Sequence, residues 1–183
     1  LNKLAQEDTN CKLIPYSTPK HTIEDGITTI ANTKLLIFGN HNLQNLNAAK
    51  LVCKELGVSD ADFYNQIATF NGASNRLELV KKMENSAFYK DFAHSPSKLK
   101  AASSAMKKQF IGRKLVACME LHTFSSLNEE FLKQYKGCMD EPDLAIVYFS
   151  PEAIAHKKLA PITTQQVHTA FNRKDLLVFT DSK

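Results

Sequence analysis

Short apolar segments alternate with helical patterns along the second half of the chain, and this alternation constrains the fold most. Segments such as DLAIVYF (143–149) are apolar almost throughout, as strands buried on both faces are. The alternation predicts an α/β fold with a Rossmann-like parallel sheet that helices cover on both faces. The predicted strands lie at 76–80, 86–90, 114–119, 143–149 and 176–180. The predicted helices lie at about 96–110 and 127–136, with further helices that open at Ser150-Pro151 and at Thr163.

Polar residues mark the expected starts of these helices. Ser95 precedes a proline at the first helical position of the 96–110 helix. Ser126 and Glu129 have the spacing of a capping box, in which the two side chains bond to each other's backbone N–H. Thr163 and Gln166 have the same spacing.

The first part of the chain has a different pattern. HTIEDGITTI (21–30) has an Asp-Gly pair between β-prone segments, which predicts a hairpin. A buried strand is expected at 35–38, followed by helices at about 42–56 and 59–70. The stretch NGASN (71–75) breaks the helical pattern. We therefore predict two domains, residues 1–72 and residues 73–183.

The composition excludes several classes of protein. The 183 residues carry 23 basic and 19 acidic side chains, and no basic run interleaved with aromatic residues predicts a nucleic-acid partner. No apolar stretch approaches transmembrane length, so no membrane partner is expected. Four cysteines stand far apart without a C-x-x-C pair, which favours the reducing cytoplasm. They are Cys11, Cys53, Cys118 and Cys138.

Charged and polar side chains follow two of the predicted strands. Asp91 and His94 follow one strand, and Glu120 and His122 follow another. Because ligands of open parallel sheets bind beyond the carboxyl ends of the strands, we expect the two pairs at one edge. A capping and loop arrangement would explain each pair separately, whereas a shared site explains both. The helix that starts after Ser95 adds free amides that favour an anion.

The segment GNHNLQN (39–45) is a third candidate site. Asn42 and Asn45 are three apart, so both amides lie on one face of the first helical turn. An amide offers a donor and an acceptor together, which suits the edge of a purine. A capping role explains Asn42 but leaves Asn45 unexplained. No glycine in the chain precedes a lysine, so the common phosphate loop is absent from it.

Three segments in order resemble the motifs of the Mur ligases, the ATP-dependent amide-bond enzymes of bacterial peptidoglycan synthesis. They are GNHNLQNLNAA (39–49), FNGASNRLE (70–78) and DFAHSPSKL (91–99). They match the patterns G-x-H-N-x-x-N, F-x-G-x-x-x-R-x-E and D-[YF]-[AG]-H-x-P. ELHTFSSLNEEF (120–131) resembles the branch of that family that comprises the alanine ligases and the murein peptide ligases. The resemblance extends over about 35–150.

The resemblance implies a larger cytoplasmic enzyme that this chain represents in part. Residues 1–72 would be the end of its ATP-binding central domain, and residues 73–183 its Rossmann-like C-terminal domain. The phosphate loop would precede Leu1, so the chain alone is expected to be inactive. ATP and Mg²⁺ would activate UDP-N-acetylmuramate as an acyl phosphate. The partner would be L-alanine or the peptide L-alanyl-γ-D-glutamyl-diaminopimelate.

The resemblance also implies roles for single residues. The nucleotide would contact five side chains, namely His41, Asn42 and Asn45 around adenine and Arg76 and Asp91 at the ribose. The catalytic candidates are His94, near the transferring phosphate and magnesium, and His122, near the incoming amine. No protein side chain is expected to bind a metal directly in this arrangement.

The chain departs from the family pattern at several positions. Phe92 stands where tyrosine is frequent, and Ser95 where a second histidine is frequent. The loop 121–126 has no arginine, the usual clamp for a free carboxylate, whereas Glu120 favours the murein peptide ligases.

Two other functions fit the same residues. One is a metal-dependent hydrolase, because mixed carboxylate and imidazole side chains can hold zinc. Its ligands would be Asp91, His94, Glu120 and His122. The other is a non-catalytic nucleotide-binding module.

Overall fold

An antiparallel meander opens the part of the chain that the computed structural model describes, residues 13–181; Cys11 lies outside it. The strands are β1 (Thr22–Glu24), β2 (Ile27–Ile30) and β3 (Thr33–Leu35). Asp25 and Gly26 both have positive φ, as a two-residue turn between twisted strands requires, so the predicted hairpin is confirmed. The strand expected at 35–38 is wrong, because the chain leaves the sheet at Leu35.

Two helices follow the meander. They are α1 (Asn40–Glu55) and α2 (Asp60–Ile67), close to the predicted spans. α1 ends before Gly57, whose φ of 84° is easily adopted by glycine. The Ser59 hydroxyl accepts the Asp62 N–H and caps α2. The helices pack on the meander through a buried cluster of Ile30, Leu35, Ile37, Leu43, Leu46 and Phe63.

The next two strands form a hairpin of their own. They are β4 (Glu78–Lys82) and β5 (Ala87–Lys90), which pair antiparallel in a separate two-stranded sheet. The expectation that they belong to the parallel sheet is therefore wrong. Only four residues, 83–86, connect them, whereas a parallel crossover needs about a dozen or more.

The parallel sheet lies in the second half of the chain and confirms the α/β fold. Its strands, in spatial order, are β6 (Val116–Glu120), β7 (Leu144–Tyr148) and β8 (Leu177–Phe179). The helices are α3 (Pro96–Gln109), α4 (Glu129–Leu132), α5 (Pro151–His156) and α6 (Thr164–Phe171), with a 3₁₀ turn at Lys133–Tyr135. The central strand supplies the fully buried Ala145 and Val147 to the main core.

Local capping explains where several of these helices begin. Thr163 and Gln166 form the predicted capping box at α6. The box predicted for Ser126 and Glu129 is wrong, because Asn128 caps α4 by accepting the Phe131 N–H. The Ser126 hydroxyl instead bonds within the preceding turn.

α3 connects the two parts of the chain. The Thr28 hydroxyl of β2 donates to the Gln109 side chain at 2.9 Å, and Gln109 donates to the Gly26 carbonyl at 2.7 Å. Thr28 and Gln109 are both buried. Gly39, which precedes α1, also lies against α3, because a Cβ at that position would lie 2.8 Å from the Cβ of Ala105. α3 and the meander are therefore in direct contact.

Candidate functional site

A cleft of about 1230 Å³ lies between β5, α3 and β6. Its lining includes all four strand-end residues of interest, namely Asp91, His94, Glu120 and His122. The structure thus brings both pairs together, but not for the predicted reason. β5 belongs to the hairpin, so Asp91 and His94 do not follow a strand of the parallel sheet.

The ring of Phe92 lies beside both cleft histidines. Its centroid is 4.8 Å from that of His94 and 5.7 Å from that of His122. Nδ1 of His94 is 3.1 Å from the Phe92 carbonyl, and Nδ1 of His122 is 3.3 Å from the Glu120 carbonyl. Because a carbonyl only accepts, these contacts are hydrogen bonds in the tautomer with the proton on Nδ1, which leaves Nε2 for a ligand.

Asp91 organises the backbone next to the cleft. Its Oδ2 accepts the N–H of Leu77 at 2.8 Å, and the N–H of Phe92 donates to the Asn75 carbonyl at 2.9 Å. Leu77 has a φ of 46°, a strained value for leucine, which this bond helps to hold. The other carboxylate oxygen of Asp91 can still accept a bond from a ligand.

Glu78 holds the same turn from the other side. Its Oε2 accepts the N–H of Asn75 at 2.8 Å and the hydroxyl of Ser74 at 3.2 Å. The bond from the Asn75 N–H lowers the pKa of Glu78. Sequence reasoning gave Glu78 no role, although it closes the segment FNGASNRLE (70–78).

His41 brings the two parts of the predicted nucleotide site together. Its ring is half-buried, and burial lowers its pKa, while Asp91 acts to raise it and Arg76 to lower it. All three residues therefore interact electrostatically across the break at 71–75. Their predicted roles around a nucleotide stay predictions.

The two asparagines of α1 differ in their surroundings. The side-chain NH₂ of Asn42 donates to the Phe38 carbonyl at 2.9 Å and so helps to hold the start of the helix. Asn45 is exposed. α1 and α3 both begin without a side-chain cap, which leaves the N–H groups of their first turns available to a ligand.

Two further observations concern a metal site and a membrane-spanning helix. Among residues 13–181, no three His, Cys, Asp or Glu side chains are placed to hold a metal ion. The four-ligand zinc site of a hydrolase therefore has no support in the described residues. No helix within the same residues is long and apolar enough to span a bilayer.

Comparison with known proteins decides the family. The chain is 34% identical over 139 residues to the UDP-N-acetylmuramate–L-alanine ligase of Caldicellulosiruptor bescii, which covers 76% of the chain. It is 32% identical over 133 residues to the ligase of the same name from Crocosphaera subtropica, with 69% of the chain covered. The chain belongs to the Mur ligase family. No protein-family profile matches it, so the assignment rests on the relatives.

Solved structures of an alanine ligase and of a folylpolyglutamate synthase share the fold. The UDP-N-acetylmuramate–alanine ligase of Thermotoga maritima superposes with a TM-score of 0.67 at 15% identity, over 88% of this chain and 36% of that one. Folylpolyglutamate synthase of Mycobacterium tuberculosis, complexed with ADP, gives 0.59 at 16% identity over 88% and 37%. The chain spans only 30% and 26% of the two curated Mur ligases above.

Proposed function

We propose that the chain is part of an ATP-dependent ligase that joins UDP-N-acetylmuramate to L-alanine or to L-alanyl-γ-D-glutamyl-diaminopimelate. The observation that carries the proposal is the 34% identity over 139 residues to a UDP-N-acetylmuramate–L-alanine ligase. Residues 1–72 would then be the end of a central domain and residues 73–183 the C-terminal domain. The protein would act in the cytoplasm during cell-wall synthesis.

The residues around His41 fit a nucleoside. A neutral, half-buried imidazole offers a flat apolar face and one ring acceptor to a base. Arg76 and the second oxygen of Asp91 offer a donor and an acceptor to the ribose hydroxyls. Asn42, on the first turn of α1, and Asn45, on the second, would contact the edge of the base.

The cleft residues fit the transfer step. Bound ATP with Mg²⁺ would supply the phosphoryl group that activates the muramyl carboxylate. His94 would contact the transferring phosphate beside the uncapped N-terminus of α3, which favours negative charge. His122 would position the amine, whose attack on the activated carbonyl expels phosphate. A closed cleft would keep water from the activated carboxylate.

The chain has no Gly-Lys pair, so under this proposal another part of the protein would cradle the phosphates. The chain alone is therefore expected to form no product. The loop 121–126 also lacks the arginine that would bind a free carboxylate, which is why both amines belong in the test.

The proposal is tested by phosphate release from the complete protein with ATP, Mg²⁺ and UDP-N-acetylmuramate. L-Alanine and the tripeptide are offered in separate reactions, and we expect turnover with one of them. His94→Ala should lower kcat about 100-fold or more, because it removes a group at the reacting phosphate. His156→Ala, at an exposed position, is the matched control.

Silence with both amines would overturn the ligase proposal. ATP binding without turnover would then favour the nucleotide-binding module, and stoichiometric metal in the purified protein would favour the hydrolase.

A further inference from the structure

The Tyr135 hydroxyl joins the main core to the cleft. Tyr135 lies in the 3₁₀ turn after α4 and is fully buried. Its hydroxyl donates to the backbone carbonyl of His94 at 2.5 Å, across 41 residues of sequence. The bond therefore holds the loop that presents one of the two cleft histidines.

The core leaves the Tyr135 ring little freedom. The ring stacks on Phe171 of α6 with centroids 5.1 Å apart and planes 13° apart. Phe131 meets it edge-on at 6.0 Å. Burial raises the pKa of Tyr135 to about 12, so the phenol keeps its proton and can donate over the whole physiological pH range.

The other hydrogen bonds seen for loop 91–95 within residues 13–181 join it to itself, to the start of α3 or to the turn at 75–77. The His94 N–H and Nδ1 both bond to the Phe92 carbonyl, which belongs to the same loop. Phe92 is itself about half exposed, and the Ser95 side chain makes no capping bond. The Tyr135 hydroxyl thus ties the His94 backbone directly to the main core, while the turn at 75–77 holds the start of the loop.

We propose that Tyr135 is a positioning residue, which sets the place of the His94 imidazole in the cleft through its bond to the His94 carbonyl. The inference rests on the proposed contact of His94 with the transferring phosphate. A displacement of about 1 Å at such a group can cost about 100-fold in rate. Because the Phe92 ring lies near both imidazoles, a shift of the loop also changes the surroundings of His122.

Tyr135→Phe removes the hydroxyl and keeps the ring that stacks on Phe171. Tyr148→Phe is the matched control, because it removes the same hydroxyl from a partly buried tyrosine at the end of β7. In the 183-residue chain, NMR of the histidine side chains should show shifted ring signals for His94 and His122 in Tyr135→Phe alone. The aromatic signals of Phe171 should stay near their wild-type positions.

Kinetics of the complete protein give the second readout. We expect Tyr135→Phe to lower kcat about tenfold or more, with the KM for ATP within about twofold of wild type. His94 signals and a kcat that both match the control would overturn the inference. If the wild-type protein shows no turnover, the ligase proposal fails, and the NMR comparison still decides whether Tyr135 positions His94.

Discussion

Burial and two neighbouring charges act on His41 in different directions. Desolvation lowers the pKa of the ring below its ordinary value of 6.5, the Asp91 carboxylate raises it, and the Arg76 guanidinium lowers it. The folded chain thus takes up this proton at a lower pH than the unfolded chain does. Stability contributed by neutral His41 is present above pH 6.5 and is lost as the pH falls towards the folded pKa.

We expect the pKa of His41, measured by NMR titration, to respond oppositely to its two neighbours. Asp91→Asn should lower it further, because the carboxylate favours the charged ring, and Arg76→Gln should raise it. His156→Gln, at an exposed position, should leave the titration of His41 unchanged. A pKa that moves in the same direction in both neighbour variants would contradict this electrostatic account.

Residues of the candidate site were predicted from the sequence only where they belong to a short motif. Asp91, His94 and His122 stand in recognisable segments, and the structure places all three at one cleft. The ring contacts of Phe92 and the bond of Tyr135 depend on segments that are distant in sequence. No local spacing indicates such partners, so they required the folded chain.

The start of α4 shows how two capping patterns compete. Ser126 and Glu129 have capping-box spacing, but Ser126 is buried and its hydroxyl bonds to the Thr123 backbone. Asn128 takes the capping position, with its side chain on the Phe131 N–H at 3.1 Å. Spacing alone does not show which polar side chain already forms hydrogen bonds within the preceding turn.

Asn128→Ala should therefore lower the free energy of unfolding by about 1 kcal/mol, the usual cost of a lost cap. Glu129→Ala should cost less than half as much, since it loses only the favourable charge near a helix N-terminus. Urea denaturation of both variants measures the difference. Equal losses in the two variants would contradict this account and favour the capping box of Ser126 and Glu129.

The strands show a similar division between local and long-range information. Apolar segments located β4 to β8 within a few residues, because strand formation leaves a local pattern. Pairing is less local, and β4 and β5 were assigned to the wrong sheet. The four-residue connection at 83–86 was the available signal, since it permits only an antiparallel pair.

At the scale of the molecule, the predicted domain boundary at 71–75 is crossed by a buried polar contact. Gln109 of α3 bonds both to the Thr28 hydroxyl and to the Gly26 carbonyl of the meander. The ring of Phe110 lies 3.1 Å from where a Gly26 Cβ would stand. The two parts of the chain therefore stabilise each other.

Gln109→Ala should lower the free energy of unfolding by about 1–3 kcal/mol, because it leaves buried polar partners unsatisfied. Thr28→Val should cost less once Gln109 is already alanine, since the two side chains share one bond. Gln165→Ala, at an exposed helix position, is the control. Strictly additive losses in the double variant, measured by thermal and urea unfolding, would show that the two parts are not coupled through this pair.

The Thr28–Gln109 bond also imposes an order on synthesis. The two residues are 81 positions apart, so Thr28 is made long before its partner exists. At roughly 5–20 residues per second, translation takes about 4–16 s to cover that interval. During this time the nascent meander lacks the residues of α3 that complete its packing. Its native packing can close only after α3 has emerged.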